Sequence, residues 1–334
     1  MEEIGGQRTP ADLLDQCRSE MAKRIVGQRE MIDGLLVALI AGGHVLLEGV
    51  PGLAKTLAVK SLADITGLMF KRIQFTPDLL PADLTGTLIW EQSRGIFSVR
   101  RGPVFANVVL ADEINRSPAK VQSALLEAME EHQVTIGEET YPLPEPFFVL
   151  ATQNPIEQEG TYTLPEAELD RFLLKLTVKY PAMEDEIRIL EQSSSLSRTG
   201  SREQLSPLKA VLDVPLLEAL RRSADKVRLD EQVLRYIVSV VSATRPGDRA
   251  AKTGGGDIYR YISFGASPRA SLALYRCSRI RALFEGRSYV SPEDVKAIAL
   301  PVLRHRIILS YEAEADGLDA DAVISRILSF VPVP

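Results

Sequence analysis

The chain has 334 residues, 45% of them hydrophobic and 25% charged, with a net charge of −6. That composition suits a globular protein long enough to bury two cores, and it excludes a broad basic field for constitutive nucleic-acid binding. Two cysteines, Cys17 and Cys277, stand far apart without metal-ligand spacing, so neither a disulfide scaffold nor a zinc site is expected and the expected setting is a reducing cytoplasm.

In chain order, the acidic, polar start "MEEIGGQRTP" lacks the character of a secretory signal. Thr9-Pro10 reads as a helix start, with a capping hydroxyl followed by proline at the first helical position, and Leu13, Leu14, Cys17 and Met21 repeat at helical spacing. A second helix runs through "REMIDGLLVALIA" to Gly42-Gly43. The apolar stretch around it is broken by those glycines and by His44, so neither piece reaches the ~20 residues needed to cross a bilayer, and no membrane insertion is expected. "HVLLE" then reads as a buried strand, "EGVPGLAKT" as a turn and "KTLAVKSLADIT" as a helix. Further strands are "FKRIQ", "NVVLAD", "FFVLAT" and "LLKLTVKY", with the helix "SPAKVQSALLEAMEEH" among them, capped by Ser117-Pro118. Alternating strands and helices over about 25–180 predict a parallel sheet covered on both faces. Segments 85–101 and 133–149 interrupt the alternation as hairpins, turning at Ser93-Arg94-Gly95 and at Gly137. After Pro181 the strand signals stop. "EDEIRIL", "SPLKAVL", "VPLLEALRRSADKV", "DEQVLRYIVSVVSATR", "SPRASLALYRCSRIRALFEG" and "SPEDVKAIALPVLRHRI" read as helices, with a polar Ser-rich connection at 191–207 and a loop at 252–257. The expected division is an α/β domain over 1–180 and a helical domain over 181–334.

The chemistry begins at the turn. "EGVPGLAKT" nearly spells the phosphate-binding pattern G-x-x-x-x-G-K-[S/T]: Gly49, Lys55 and Thr56 fit, and Ala54 replaces the second glycine. Amides at a helix N-terminus suit an anion. Lys55 would neutralise terminal phosphates and the Thr56 hydroxyl would bind Mg2+. Ala54 adds one methyl group, tolerable if its backbone stays right-handed. Alone, the spelling also fits a surface loop with a solvated lysine. The second element is "NVVLADEINR", an apolar strand ending in Asp112 and Glu113. An acid at a strand end can hold Mg2+, and a second beside it can serve as general base. Two carboxylates beyond a buried run require partners, and with Ser117 expected to cap the next helix, a metal ion would provide one. Asn154, after "FFVLAT", could orient water or could be turn chemistry. Arg171, in "LPEAELDRF", fits an ion-pair partner of Asp170 or Glu168, or an arginine finger reaching a neighbouring subunit. Arg269, in "FGASPRA", opens a helix against its dipole, which fits surface structure taken singly or, beside the loop and the acidic pair, a phosphate partner.

Together "EGVPGLAKT", "GPVFANVVLADEINRSPAKVQSALLEAMEE", "VLATQNPIEQEGTYTLPEAELDRF" and "GASPRA" resemble the MoxR family of AAA+ ATPases, over about residues 20–310. Alanine before the lysine is common in that family. The resemblance implies a P-loop core, a five-stranded parallel sheet between helices with hairpin insertions, followed by an all-helical lid. It implies ATP or ADP with Mg2+ bound between subunits of a homo-oligomeric ring, typically a hexamer. Under it Gly49, Val50, Pro51, Gly52, Leu53, Ala54, Lys55, Thr56 and Leu57 hold the phosphates, and Val26 and Gly27 lie in the segment contacting adenine. Thr56 and Asp112 serve the metal, Glu113 is the second Walker B acid, Asn154 is sensor 1, Arg171 is the finger and Arg269 is sensor 2. Family members resemble chaperone-type remodellers that often work with proteins carrying a von Willebrand factor A domain and assist metal insertion or maturation of enzyme complexes. Arg94, Arg100 and Arg101 on the first hairpin read as a solvated face or as a contact for an acidic client, and Arg116 as a residue near a subunit interface.

Two other functions fit the sequence less well. A nucleic-acid motor or clamp loader conflicts with the acidic balance and lacks a helix-turn-helix. A non-hydrolysing ATP-gated scaffold conflicts with the presence of both Glu113 and Arg171.

Overall fold

The computed structural model describes residues 8–50, 52–155, 161–198, 207–247 and 256–334. The sequence-predicted loop at 252–257 therefore falls mainly outside the described residues.

The first helix, α1 (Pro10–Ala22), starts as its spelling predicts: Thr9 Oγ1 accepts from the Asp12 amide at 3.2 Å while Asp12 Oδ2 accepts from the Thr9 amide at 3.1 Å. Leu13, Leu14, Cys17 and Met21 are all buried. α2 (Arg29–Ala41) is buried almost all round and ends on left-handed Gly42. There follow β1 (Val45–Glu48), α3 (Lys55–Thr66), β2 (Phe70–Gln74) and α4 (Pro81–Thr85). The first insertion is β3 (Gly86–Glu91) paired antiparallel with β4 (Ile96–Arg101). Next come β5 (Val108–Asp112), α5 (Ala119–Glu131), and the second insertion, β6 (Gln133–Ile136) paired with β7 (Glu139–Pro142). β8 (Phe148–Gln153), α6 (Glu166–Leu169), β9 (Leu174–Thr177) and α7 (Met183–Arg198) follow. α7 thus continues into the polar stretch 191–207, of which 199–206 lie outside the described residues.

Five strands form one sheet in the order β2-β5-β8-β1-β9. The pairings β2/β5, β5/β8 and β8/β1 are parallel. Every residue of β5 is buried, as a parallel strand covered on both faces requires. The registers Gln74↔Asp112, Ala111↔Ala151 and Glu48↔Gln153 bring the carboxyl ends of β2, β5, β8 and β1 to one level. In open α/β sheets that edge is where ligands bind. At the opposite edge His44 pins three segments: its Nδ1 accepts from the Val149 amide at 3.0 Å and its Nε2 donates to the Met129 carbonyl at 3.1 Å.

The two insertions touch. The Arg101 guanidinium stacks over the rings of both Phe105 and Tyr141, and Leu88 presses on Gly137 at the turn of the second hairpin. Arg101 therefore has an intramolecular role beyond a solvated face. Trp90 and Phe97 pack ring against ring at 5.0 Å and remain largely exposed.

The chain divides into two compact units. One holds Asp15–Arg171 and Leu176–Pro215; the other holds the described part of Met1–Leu14, Phe172–Lys175 and Leu216–Pro334. The second is mainly helical: α8 (Val214–Asp225, which starts in the first unit's range), α9 (Glu231–Ser242), α10 (Pro268–Phe284), α11 (Pro292–Leu303), α12 (Tyr311–Ala315) and α13 (Ala320–Phe330). A short ribbon of β10 (Ile262–Phe264) and β11 (Ile308–Leu309) joins these helices, strands that the sequence pattern after Pro181 did not signal. Within this unit buried Arg306 donates to the carbonyls of Phe172, Leu173 and Val302. "SPLKAVL" is not helical. Its Val211 and Leu212 amides both donate to the Ile65 carbonyl at the end of α3, a tertiary use of the backbone that displaces a marginal helix.

Candidate functional site

The loop between β1 and α3 begins where β1 leaves the sheet. The Gly49 amide donates to the Gln153 carbonyl at 3.4 Å, and a Cβ at Gly49 would press on the Val178 backbone oxygen at 2.9 Å, so only glycine fits there comfortably. Val50, Gly52, Leu53 and Ala54 complete the described loop; Pro51 lies outside the described residues. Ala54 has φ 56° and ψ 21°, the left-handed region, and is the N-cap of α3. The expectation of a right-handed Ala54 is thus corrected. The turn into α3 demands the handedness that glycine normally supplies, and alanine carries it at a cost of about 1 kcal/mol.

Lys55 opens α3, followed by Thr56 and Leu57. Its ammonium donates to the Gly49 carbonyl at 2.6 Å, curling across the loop. Burial pushes its pKa down, while the negative charges of Asp112, Glu113 and Glu48 pull it back up. The loop and the end of β5 are brought to one edge by the sheet, where β8 lies between β1 and β5.

At the end of β5 the Asp112 carboxylate is bound on both oxygens. Oδ1 accepts from Thr152 Oγ1 at 2.6 Å, and Oδ2 accepts from Arg72 Nη2 at 2.6 Å and Nε at 3.0 Å. Thr152 Oγ1 in turn accepts from the Glu113 amide at 2.8 Å. Glu113 stands in a left-handed backbone, φ 58° and ψ 51°, a conformation non-glycine residues hold only where the surroundings impose it. Its Oε2 accepts from Gln74 Nε2 at 2.8 Å and Arg116 Nη1 at 3.1 Å. Ser117 does not cap α5. Its hydroxyl donates to the Ile114 carbonyl at 3.2 Å, and the N-cap position belongs to Pro118, which has no side-chain donor or acceptor. Asn154, just past β8, is buried at 6% exposure.

Gly27 and Val26 lie before α2. Gly27 has φ 73°, and a Cβ there would collide with the Asp185 carboxylate, so the segment lies against the start of α7. Gln28 Nε2 donates to the Lys179 carbonyl at 2.9 Å. Arg171 pairs with neither Asp170 nor Glu168: its Nε donates to Glu130 Oε2 on α5 at 2.7 Å, while Glu168 accepts from Ser123. Its side chain retains 32% exposure. Arg269 lies in the other unit, exposed in the first turn of α10, where its amide donates to the Ser267 hydroxyl cap at 3.1 Å.

Sequence reasoning missed Arg72, Gln74 and Thr152. A signal existed for the first two: in "FKRIQ" they sit two apart and so share one face of β2. The metal expectation can be tested against the donors present. Thr56 and Asp112 offer hard oxygens, and among the described residues no group of three or more His, Cys, Asp or Glu side chains could hold a metal ion. The two oxygens of Thr56 and Asp112 fit Mg2+, which takes one or two protein oxygens and completes its shell from phosphates and water. Among the described residues no helix is long and apolar enough to cross a membrane.

Residues 44–174 match the ATPase family associated with various cellular activities (AAA), and residues 258–327 match the AAA lid domain. The chain is 48% identical over 321 residues to Chaperone MoxR1 of Mycobacterium tuberculosis, covering 96% of this chain and 82% of that protein. It is 32% identical to Protein MoxR of Methylorubrum extorquens, covering 94% and 93% respectively. The crystal structure of a candidate ATPase from Cytophaga hutchinsonii superposes with a TM-score of 0.87 at 47% identity, covering 97% of this chain and 96% of that one.

Proposed function

The chain belongs to the MoxR family of AAA+ ATPases, and we propose that it binds ATP with Mg2+ and hydrolyses it within a ring of identical subunits, coupling hydrolysis to chaperone-like remodelling of partner proteins. The observation that carries this reading is geometric: the register of β1 on β8 and the Gly49–Gln153 bond set the loop beside Thr152, which bonds both Asp112 and the Glu113 amide at the carboxyl edge of the sheet. The amides of 49–54 and the start of α3 cradle the phosphates, Lys55 exchanges the Gly49 carbonyl for a phosphate oxygen, and Leu57 with Val26 and Gly27 borders the nucleotide. Thr56 and Asp112 hold the metal, which when bound neutralises charge on the phosphates. Glu113 accepts the proton of the attacking water and Asn154 orients that water. Arg171 is donated to a neighbouring subunit's nucleotide and Arg269 acts from the lid. ADP is the product retained.

At the level of partners, the reading includes a hexameric ring, a companion protein with a von Willebrand factor A domain, a client whose maturation or metal-cofactor assembly is assisted, and a cytoplasmic setting without stable nucleic-acid binding. Similarity to a protein named Chaperone MoxR1 supports the chaperone-like part of this reading. The test is Mg2+-dependent phosphate release by the purified chain, together with native mass spectrometry of Glu113→Gln with ATP. Phosphate release and a ring are expected. Failure to bind ATP would overturn the site, and a strictly monomeric nucleotide complex would overturn the ring.

A further inference from the structure

Asp112 cannot offer Oδ2 to a metal while Arg72 holds it. Both Nε and Nη2 of Arg72 converge on that oxygen, at 3.0 and 2.6 Å, and Oδ1 is taken by Thr152 at 2.6 Å. The side chains differ in access: Asp112 is 12% exposed and Arg72 is 50% exposed. The guanidinium thus reaches a nearly buried carboxylate from the solvent side. Among the described residues its other partner is Gln74 Oε1 at 2.8 Å on the same strand, so the half-exposed guanidinium can swing into solvent, and the buried Asp112 carboxylate then needs another cation in its place. A divalent ion on Asp112 would sit at about 2.0–2.1 Å from the oxygen, within a few ångströms of a guanidinium that already occupies the same lone pairs. Like charges at that spacing repel.

We infer that Arg72 is a built-in counter-cation that closes the Asp112 metal position, and that Mg2+ binds there by exchange with it. The inference rests on the nucleotide-site reading above. It makes Arg72 a positioning residue that sets how much Mg2+ the site requires and keeps Asp112 paired without metal.

By linkage, the stabilisation that Arg72 gives to the metal-free protein equals the affinity it withholds from the metal. Mn2+ serves as the probe, followed by the electron paramagnetic resonance signal of the free ion in the presence of a non-hydrolysable ATP analogue. Arg72→Ala should bind Mn2+ about tenfold more tightly than the unaltered chain. Without metal and nucleotide the same variant should melt lower than the unaltered chain, and with saturating Mn2+ and analogue the two melting temperatures should converge. Unchanged or weaker Mn2+ binding, or a melting difference that persists with metal, would overturn the exchange. Arg72→Gln makes the same comparison if the alanine variant fails to fold. Asp112→Asn run in parallel separates the two readings. Weaker Mn2+ binding in it supports the metal role of Asp112, and no weakening removes that role whatever Arg72 does.

Discussion

Lys55 donates to a carbonyl of its own loop, whereas Asp112 and Glu113 draw partners from β2, β8 and the turn after β5. Beyond the Gly49 amide's bond to Gln153, the loop is local: one segment, a left-handed alanine and a lysine folded onto Gly49. The carboxylate edge is non-local, with its side chains fixed by neighbouring strands. The difference separates two jobs. A loop bound to itself can trade those bonds for a ligand's phosphates, so it governs binding. An edge held by the sheet keeps its geometry whatever the loop does, so it governs turnover.

Four experiments test that division. Glu113→Gln should lower turnover by about 10²–10⁴-fold by removing the base, with nucleotide affinity nearly unchanged in a fluorescent-nucleotide titration. A large affinity loss would show that the edge also governs binding. Lys55→Ala should weaken nucleotide binding by about 10²-fold or more, from loss of charge-assisted bonds to phosphate. Calorimetry showing native affinity would remove the loop from the site.

The third experiment acts on both regions at once, because β1 and β8 carry them and His44 pins those strands at the far edge. Burial pushes the His44 pKa down to about 4, with the charge of His132 adding to the effect and the Met129 carbonyl opposing it. The unfolded chain, with an ordinary value near 6.5, therefore binds more protons between about pH 4 and 6.5. Stability is full above that window and falls as pH drops through it, by ~2 kcal/mol from pH 7 to 5. Denaturant melts of the unaltered chain against His44→Leu should show a shallower pH slope in the variant, and equal slopes would discharge His44. The smallest effect is expected at Ala54→Gly. Relief of the left-handed backbone, offset by chain entropy, should raise stability by at most ~1 kcal/mol with nucleotide affinity preserved. A clear affinity loss would give the Ala54 methyl a packing role.

What the sequence made legible follows from how far each feature reaches along the chain. The strands, most helices and the Thr9 cap depend on neighbours within a few residues, and their spelling gave them away. Lys55, Asp112 and Glu113 were singled out in the same local way, from a loop after one apolar strand and from the end of another. Thr152 and Arg72 become site residues only through register, since each meets Asp112 from another strand of the sheet, 40 positions away in sequence. The handedness of Ala54 was hidden because a near-glycine spelling does not state the backbone angle. Glu130 as the partner of Arg171 was hidden because α5 and the turn after α6, 41 positions apart, had to meet.

The hairpins have a mechanical consequence. Arg101 clasps Phe105 and Tyr141, and Leu88 bears on Gly137, so the two insertions are packed together. The second hairpin leads straight into β8, whose far end holds Thr152 and then Asn154. The exposed Trp90–Phe97 tip is thereby joined through packed side chains to the hairpin that precedes the strand whose Thr152 bonds Asp112.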